Sequence, residues 1–96
     1  MHRVLVVYRG PIEVGQVRRR CTLPVDEPLE LALCLVLPPG SDGFADGLRA
    51  QKEITAALRA ALGQRAETVA VLVACEGSPY DVDDCAREWG ATLVLP

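Results

Sequence analysis

The sequence has few of the residues on which catalysis and metal binding depend. Its 96 residues include one histidine, His2, and four cysteines, Cys21, Cys34, Cys75 and Cys85, none in a C-x-x-C spacing. Without that spacing we expect no metal site. Without a second histidine we expect no catalytic residues of the Ser-His-Asp or Cys-His kind. The sequence therefore favours a protein that is not an enzyme.

Positive charge is also scarce. Ten Lys and Arg residues stand against thirteen Asp and Glu residues, giving a net charge of −3 at pH 7. Nucleic acids and anionic membranes attract excess positive charge, so we expect neither as a partner. The longest apolar run, Leu31 to Pro39, is far shorter than the ~20 residues of a membrane span. Met1-His2-Arg3 has no features of a signal peptide, so we expect a cytoplasmic protein.

Half of the residues are hydrophobic but only 4% are aromatic. A core built from Val, Leu, Ala and Ile is typical of a parallel sheet covered by helices. A chain of this length accommodates one core, so we predict a single α/β domain over residues 1–96.

Four apolar segments predict β-strands. They are Arg3 to Tyr8, Leu29 to Leu37, Val69 to Cys75 and Ala91 to Leu95. The second and third are apolar on both faces, which indicates central strands buried between helices.

Two helices are predicted between the first three strands. In Ile12 to Leu23 the pattern is ambiguous, but a short helix would place Arg18-Arg19-Arg20 on its solvent side. The longer helix has a stripe of Leu48, Ile54, Leu58 and Leu62. Asp42 or Asp46 is its expected N-cap, and Gly63 its expected end.

The third helix is predicted from a turn that follows the third strand. Gly77 permits the turn, Ser78 is the expected N-cap and Pro79 suits the first helical position. The helix runs to Trp89, and Gly90 ends it. Ligands of open parallel sheets bind at the carboxyl ends of the strands. The candidate ligand-binding residues at those ends are Tyr8, Arg9, Gly10, Pro38, Cys75, Gly77 and Ser78.

The chain resembles the universal stress protein family, which has an α/β fold of the adenine nucleotide alpha hydrolase type. The resemblance rests on residues 3–7, on residues 31–37 and above all on residues 69–95. There Gly77-Ser78-Pro79 matches the family's Gly-x-Pro turn, and residues 90–95 match its Ala or Gly followed by a strand. The resemblance spans nearly the whole chain. It implies an open parallel sheet of about four strands in the order 3-2-1-4, with helices on both faces.

Two departures from the family bear on ligand binding. Nucleotide-binding members have an acidic residue at the end of the first strand, where this sequence has Tyr8-Arg9. Their Gly-x2-Gly-x9-Gly-Ser/Thr phosphate loop follows the fourth strand, and the sequence ends at Pro96 before such a loop. We therefore expect no cofactor, with binding of ATP or AMP weak or lost. An exposed fourth strand predicts a homodimer through the edge Thr92–Leu95.

Two functions remain open. The first is a non-enzymatic stress-response or regulatory module that acts through dimerisation and protein contacts. The second is a small α/β enzyme or redox protein that uses Cys75 or the Tyr8-Arg9-Gly10 turn.

Each candidate site also has a purely structural interpretation. Gly77-Ser78 at a helix start suits an anion, but Glu76 and the aspartates after the turn already complement the helix dipole. The basic residues near the N-terminus are Arg9 and Arg18-Arg19-Arg20. They could bind a phosphate or the acidic segment of a partner chain, or they could simply lie on a solvated face. Cys75 is either a reactive thiol or a small core residue.

Overall fold

The computed structural model describes residues 2–21, 29–77 and 80–96. Strands and helices alternate along these residues: β1 His2–Tyr8, α1 Val14–Cys21, β2 Leu29–Leu37, α2 Ala45–Leu62, β3 Val69–Cys75, α3 Val82–Trp89 and β4 Leu93–Leu95. A 3-10 helix, Gly63–Thr68, joins α2 to β3.

All four strands run parallel in the order β3-β2-β1-β4, so the predicted α/β sheet and its strand order are confirmed. β1 pairs with β2 along its whole length and with β4 over three residues, from Val4 opposite Leu93 to Val6 opposite Leu95. The prediction that β3 is central is wrong. β3 lies at one edge of the sheet, and most of its residues are only half-buried.

Helices cover both faces of the sheet, as predicted. Successive strand residues point to opposite faces, and two separate apolar clusters result. On the face of α1 and α2, the cluster includes Val4, Val6, Leu33, Leu35, Val17, Ile54 and Leu58. On the face of α3, it includes Leu5, Ala32, Cys34, Ala74 and Cys85. The helices lie on different faces because each crossover is right-handed and the direction of travel across the sheet changes. The chain moves one way from β1 to β2 to β3, then returns past β1 to β4, so α3 lies on the face opposite α1 and α2.

The long helix α2 buries Ile54 and Leu58, as its apolar stripe predicted. Leu48 was expected in the same stripe but is 46% exposed. Phe44 precedes the first residue of α2 and makes no side-chain cap, whereas Asp42 Oδ1 accepts the Phe44 and Ala45 N–H groups and so performs the expected capping. Both aspartates accept backbone N–H bonds beside Phe44. Within the described ranges, no helix combines the length and the apolar character needed to cross a membrane.

Helix α3 begins later than predicted, at Val82 with Asp81 as its N-cap. Ser78 and Pro79, which were expected to start the helix, lie outside the described residues. Asp81 Oδ1 accepts the Asp84 N–H at 3.1 Å, and Asp84 Oδ2 accepts the Asp81 N–H at 3.1 Å. This reciprocal capping box satisfies two backbone donors that would otherwise lack partners.

Gly90 and Arg3 hold the other end of α3. Gly90 has φ +77°, the left-handed conformation that ends many helices, so the predicted stop is confirmed. Arg3 Nη1 donates to the Trp89 carbonyl at 2.7 Å, and the guanidinium lies 5.7 Å from the centroid of the Trp89 ring. Arg3 Nε also pairs with Glu30 at 2.8 Å. One arginine thus joins β1, β2 and the C-terminus of α3.

We expect Asp81→Ala to lower the thermal midpoint at neutral pH, because the Asp84 N–H loses its acceptor. That hydrogen bond holds the pKa of Asp81 below its ordinary value of 3.8. A carboxyl whose pKa is depressed by folding stabilises the protein above the unfolded-state pKa. The contribution is lost as the pH falls through the folded-state pKa. The difference between wild type and variant, measured by circular dichroism melts, should therefore shrink in acid.

Asp83→Ala is the matched control, since it removes a charge from the same turn but leaves the Asp81 cap. Equal losses of midpoint in the two variants, or a difference that does not change in acid, would contradict the capping account.

Candidate ligand-binding site

Two adjoining cavities lie at the edge of the sheet where the carboxyl ends of the strands meet. Their volumes are about 390 and 320 Å³. Arg9, Val36 and Glu76 line both of them. The strand order reverses between β1 and β4 at this edge, and open α/β sheets bind ligands beside such a reversal. The cavities therefore occupy the position in which the sequence placed its candidate site.

The smaller cavity, called the apolar cavity here, opens on the face of α1 and α2. Its lining combines four of the candidate residues, Tyr8, Arg9, Gly10 and Pro38, with Ile12, Leu35, Val36, Leu37, Ala50 and Glu76. Most of these side chains are aliphatic, so the cavity suits a flat or apolar group.

Tyr8 is a structural part of that cavity. The residue is 5% exposed, and its hydroxyl donates to the Pro11 carbonyl and accepts the Glu13 N–H, both at 3.1 Å. These two bonds organise the loop between β1 and α1, in which Gly10 supplies a turn with φ +87°. Tyr8 therefore positions the loop that carries Arg9.

The larger cavity, called the acidic cavity here, opens on the face of α3. Cys75 and Gly77, two further candidates, line it together with three carboxylate residues, Glu76, Asp81 and Asp83. Arg9 is the cation among its lining residues. Backbone hydrogen bonds lower the pKa of Asp81, so its carboxylate is ionised at neutral pH. The last candidate, Ser78, lies outside the described residues.

The charges of the acidic cavity disfavour a phosphate group. Like charges repel, and the repulsion is strongest where solvent is partly excluded. A phosphate placed beside Arg9 would also face Glu76 and Asp83.

Cys75 lies at the carboxyl edge and is half-buried. Strand alternation directs the Cys75 side chain to the face of α2. Its Sγ lies close to Gly43 there, since a Cβ placed on that glycine would be only 3.7 Å away. His2 lies at the opposite end of the sheet. His2 is paired with Leu29 and Cys75 with Leu37, and the eight steps between these two residues of β2 span roughly 26 Å. The fold therefore keeps Cys75 and His2 apart.

Metal ligands are not brought together either in the part of the chain that the structure describes. No group of three or more His, Cys, Asp or Glu side chains there is arranged to hold a metal ion.

Arg20 is a residue of this edge that the sequence interpretation missed. Its Nη2 donates to the Val7 carbonyl at 2.7 Å and to the Pro96 carbonyl at 2.6 Å. It therefore joins the ends of β1 and β4 where the strand order reverses. The prediction that Arg18-Arg19-Arg20 all lie on the solvent side is wrong for Arg20, which is half-buried, whereas Arg18 and Arg19 are exposed.

The sequence carried a signal for this position. Arg20 follows Val17 by three residues, so the two lie on neighbouring parts of the same helical face, and Val17 is fully buried. Long helical side chains also point back towards the helix N-terminus, which here means towards the carboxyl edge of the sheet.

Comparison of this chain with protein-family models, with curated proteins and with solved structures finds no match. The resemblance to universal stress proteins therefore stays a prediction, and the functional argument depends on the site itself.

We expect Arg20→Leu to lower the free energy of unfolding by about 1–3 kcal/mol, because two carbonyls lose a charged donor. The amides of β4 should also exchange faster with solvent. Urea titration and hydrogen exchange of the wild type and variant would measure the two effects.

Arg19→Leu removes the same charge from an exposed neighbouring position and should change neither measurement appreciably. Equal effects of the two substitutions would show that Arg20 does not hold the β1–β4 junction.

Proposed function

We propose that this chain is a non-enzymatic regulatory module, similar to universal stress proteins, that acts through protein contacts and pairs with a second copy of itself. The observation that carries the proposal is strand β4. It lies at an edge of the sheet, and two of its apolar residues are well exposed, Leu93 at 52% and Val94 at 39%.

The edge of β4 suits a second copy for a physical reason. One side of β4 bonds to β1, and the other side presents backbone N–H and C=O groups with no neighbouring strand among the described residues. Such an edge readily pairs with another strand. Two β4 edges related by a two-fold axis are self-complementary, so antiparallel pairing would satisfy both backbones and cover Leu93 and Val94.

The arrangement of the cavities supports binding rather than catalysis. Cys75 is remote from His2, and the Tyr8 hydroxyl already has a donor and an acceptor within its own loop. The alternative, a small enzyme or redox protein using Cys75 or the Tyr8-Arg9-Gly10 turn, has the Glu76 carboxylate near both groups, but the single histidine lies at the opposite end of the sheet.

The charges of the cavities support weak nucleotide binding. The apolar cavity suits an adenine ring, but the phosphates would then approach Glu76 and the acidic cavity. An uncharged nucleoside avoids that repulsion.

We expect the wild type to have twice its monomer mass of 10.3 kDa in light scattering at millimolar concentration. Val94→Lys should yield monomers, because a charge on β4 cannot be buried against a second copy. Val14→Lys is the matched control, since Val14 is 40% exposed but lies on α1, and it should remain dimeric. A monomeric wild type, or dissociation by both substitutions, would contradict the proposal.

A ligand that binds the native state raises the thermal midpoint of unfolding. In a thermal-shift titration we expect adenosine to raise this midpoint more than ATP or ADP with magnesium, because the carboxylates repel the phosphates and weaken nucleotide binding. Glu76→Gln should reduce the difference between the midpoint shifts with adenosine and with ATP or ADP, because it removes a carboxylate shared by both cavities. Asp46→Asn, which removes a carboxylate that lines neither cavity, should leave it unchanged. A larger rise with ATP than with adenosine would indicate a phosphate site and overturn this assignment.

A further inference from the structure

Two cysteines from different elements meet in the cluster beneath α3. Cys34 of β2 is 0% exposed and Cys85 of α3 is 1% exposed, both belong to the same apolar cluster, and the neighbouring Cys85 helps to raise the pKa of the Cys34 thiol. The Cys85 Sγ also lies 3.7 Å from the Val73 carbonyl. Strand register places Cys34 opposite Leu72, the residue next to Val73. The strand register and the contact of Cys85 with Val73 therefore place both thiols in the same small region beneath α3.

Tyr80 is a partly exposed neighbour of Cys85. Tyr80 is 40% exposed, its hydroxyl donates to the Glu88 carboxylate at 2.7 Å, and Cys85 is among the groups that raise the pKa of Tyr80. Tyr80 precedes the first residue of α3 by two positions. A movement of this one side chain would bring Cys85, before Cys34, into contact with a small reagent.

We propose that Cys34 and Cys85 form a reversible internal disulfide that links α3 to β2, with a small-molecule disulfide such as glutathione disulfide as the oxidant. The proposal does not depend on the regulatory function or the dimer proposed above.

The reaction balances as two thiol–disulfide exchanges. The Cys85 thiolate attacks one sulfur of glutathione disulfide, and one glutathione leaves as a thiolate that takes up a proton. The Cys34 thiolate then attacks the Cys85 sulfur of the mixed disulfide and releases the second glutathione. The protein loses two electrons and two protons, and one glutathione disulfide becomes two glutathione molecules.

Burial makes this exchange slow. Burial, together with the neighbouring Cys85, raises the pKa of Cys34 to about 12. Its thiolate, the attacking species, is therefore scarce at neutral pH. Such a pair responds to sustained oxidation rather than to a brief pulse.

The disulfide would affect the acidic cavity. The start of α3 supplies Asp81, Val82 and Asp83 to that cavity. A covalent link from Cys85 to β2 would fix this wall against the sheet.

The test uses two double variants of the full chain that differ in which cysteines remain. Cys21→Ala/Cys75→Ala retains Cys34 and Cys85. Cys21→Ala/Cys85→Ala retains Cys34 and Cys75, whose side chains point to opposite faces of the sheet. Each folded protein is incubated with glutathione disulfide, and its intact mass is read after alkylation of the remaining thiols.

The first variant should lose the mass of two hydrogen atoms, resist alkylation and recover both thiols with dithiothreitol. Its thermal midpoint should rise by roughly 10 °C on oxidation. The second variant should keep two thiols that can be alkylated after unfolding. The proposal fails if the first variant stays reduced or stops at a glutathione adduct. It also fails if the first variant links only in urea, or if both variants form an internal link.

Discussion

The fold depends on one constraint, the need of β1 for a hydrogen-bonded strand on each side. β2 supplies one partner directly after α1, but the chain must cross back beneath the sheet, by way of α3, to place β4 on the other side. This return separates α3 from α1 and α2, creates the two apolar clusters and leaves the reversal point at which the cavities open. β4 pairs over only three residues, and Arg3 bonds Thr92 just before it while Arg20 bonds Pro96 just after it.

Much of this architecture could be predicted because it is determined by short-range patterns. Apolar runs located the strands, and Gly90 ended α3 as expected since few other residues tolerate its positive φ. The errors arose where tertiary context decides. Arg20 looked like its exposed neighbours in the sequence, and its partners, Val7 of β1 and Pro96 after β4, are brought to it only by the tertiary fold. The start of α3 was misplaced because Ser78 and Asp81 are both good caps in sequence, and reciprocal bonding with Asp84 favours the latter.

The predicted site residues that the structure describes line cavities at the carboxyl edge of the sheet, but the structural roles of these residues differ from those expected. Tyr8 and Gly10 shape a loop, and Arg9 faces a set of carboxylates that the sequence placed in a single helix start. The proximity of Cys34 and Cys85 could not be inferred from spacing, since they are separated by all of α2, the 3-10 helix, all of β3 and the turn that follows. A pairing of that kind follows only from the strand register and the face on which α3 packs.

The two arginines at the ends of β4 differ in how they should respond to ionic strength. Arg3 forms an ion pair with Glu30 in which both side chains are nearly half exposed, and mobile ions screen such a pair strongly. Arg20 instead donates to the uncharged Val7 carbonyl from a half-buried position, where screening is weaker. Added salt should therefore loosen the amino-terminal end of the sheet while its carboxyl edge stays fixed.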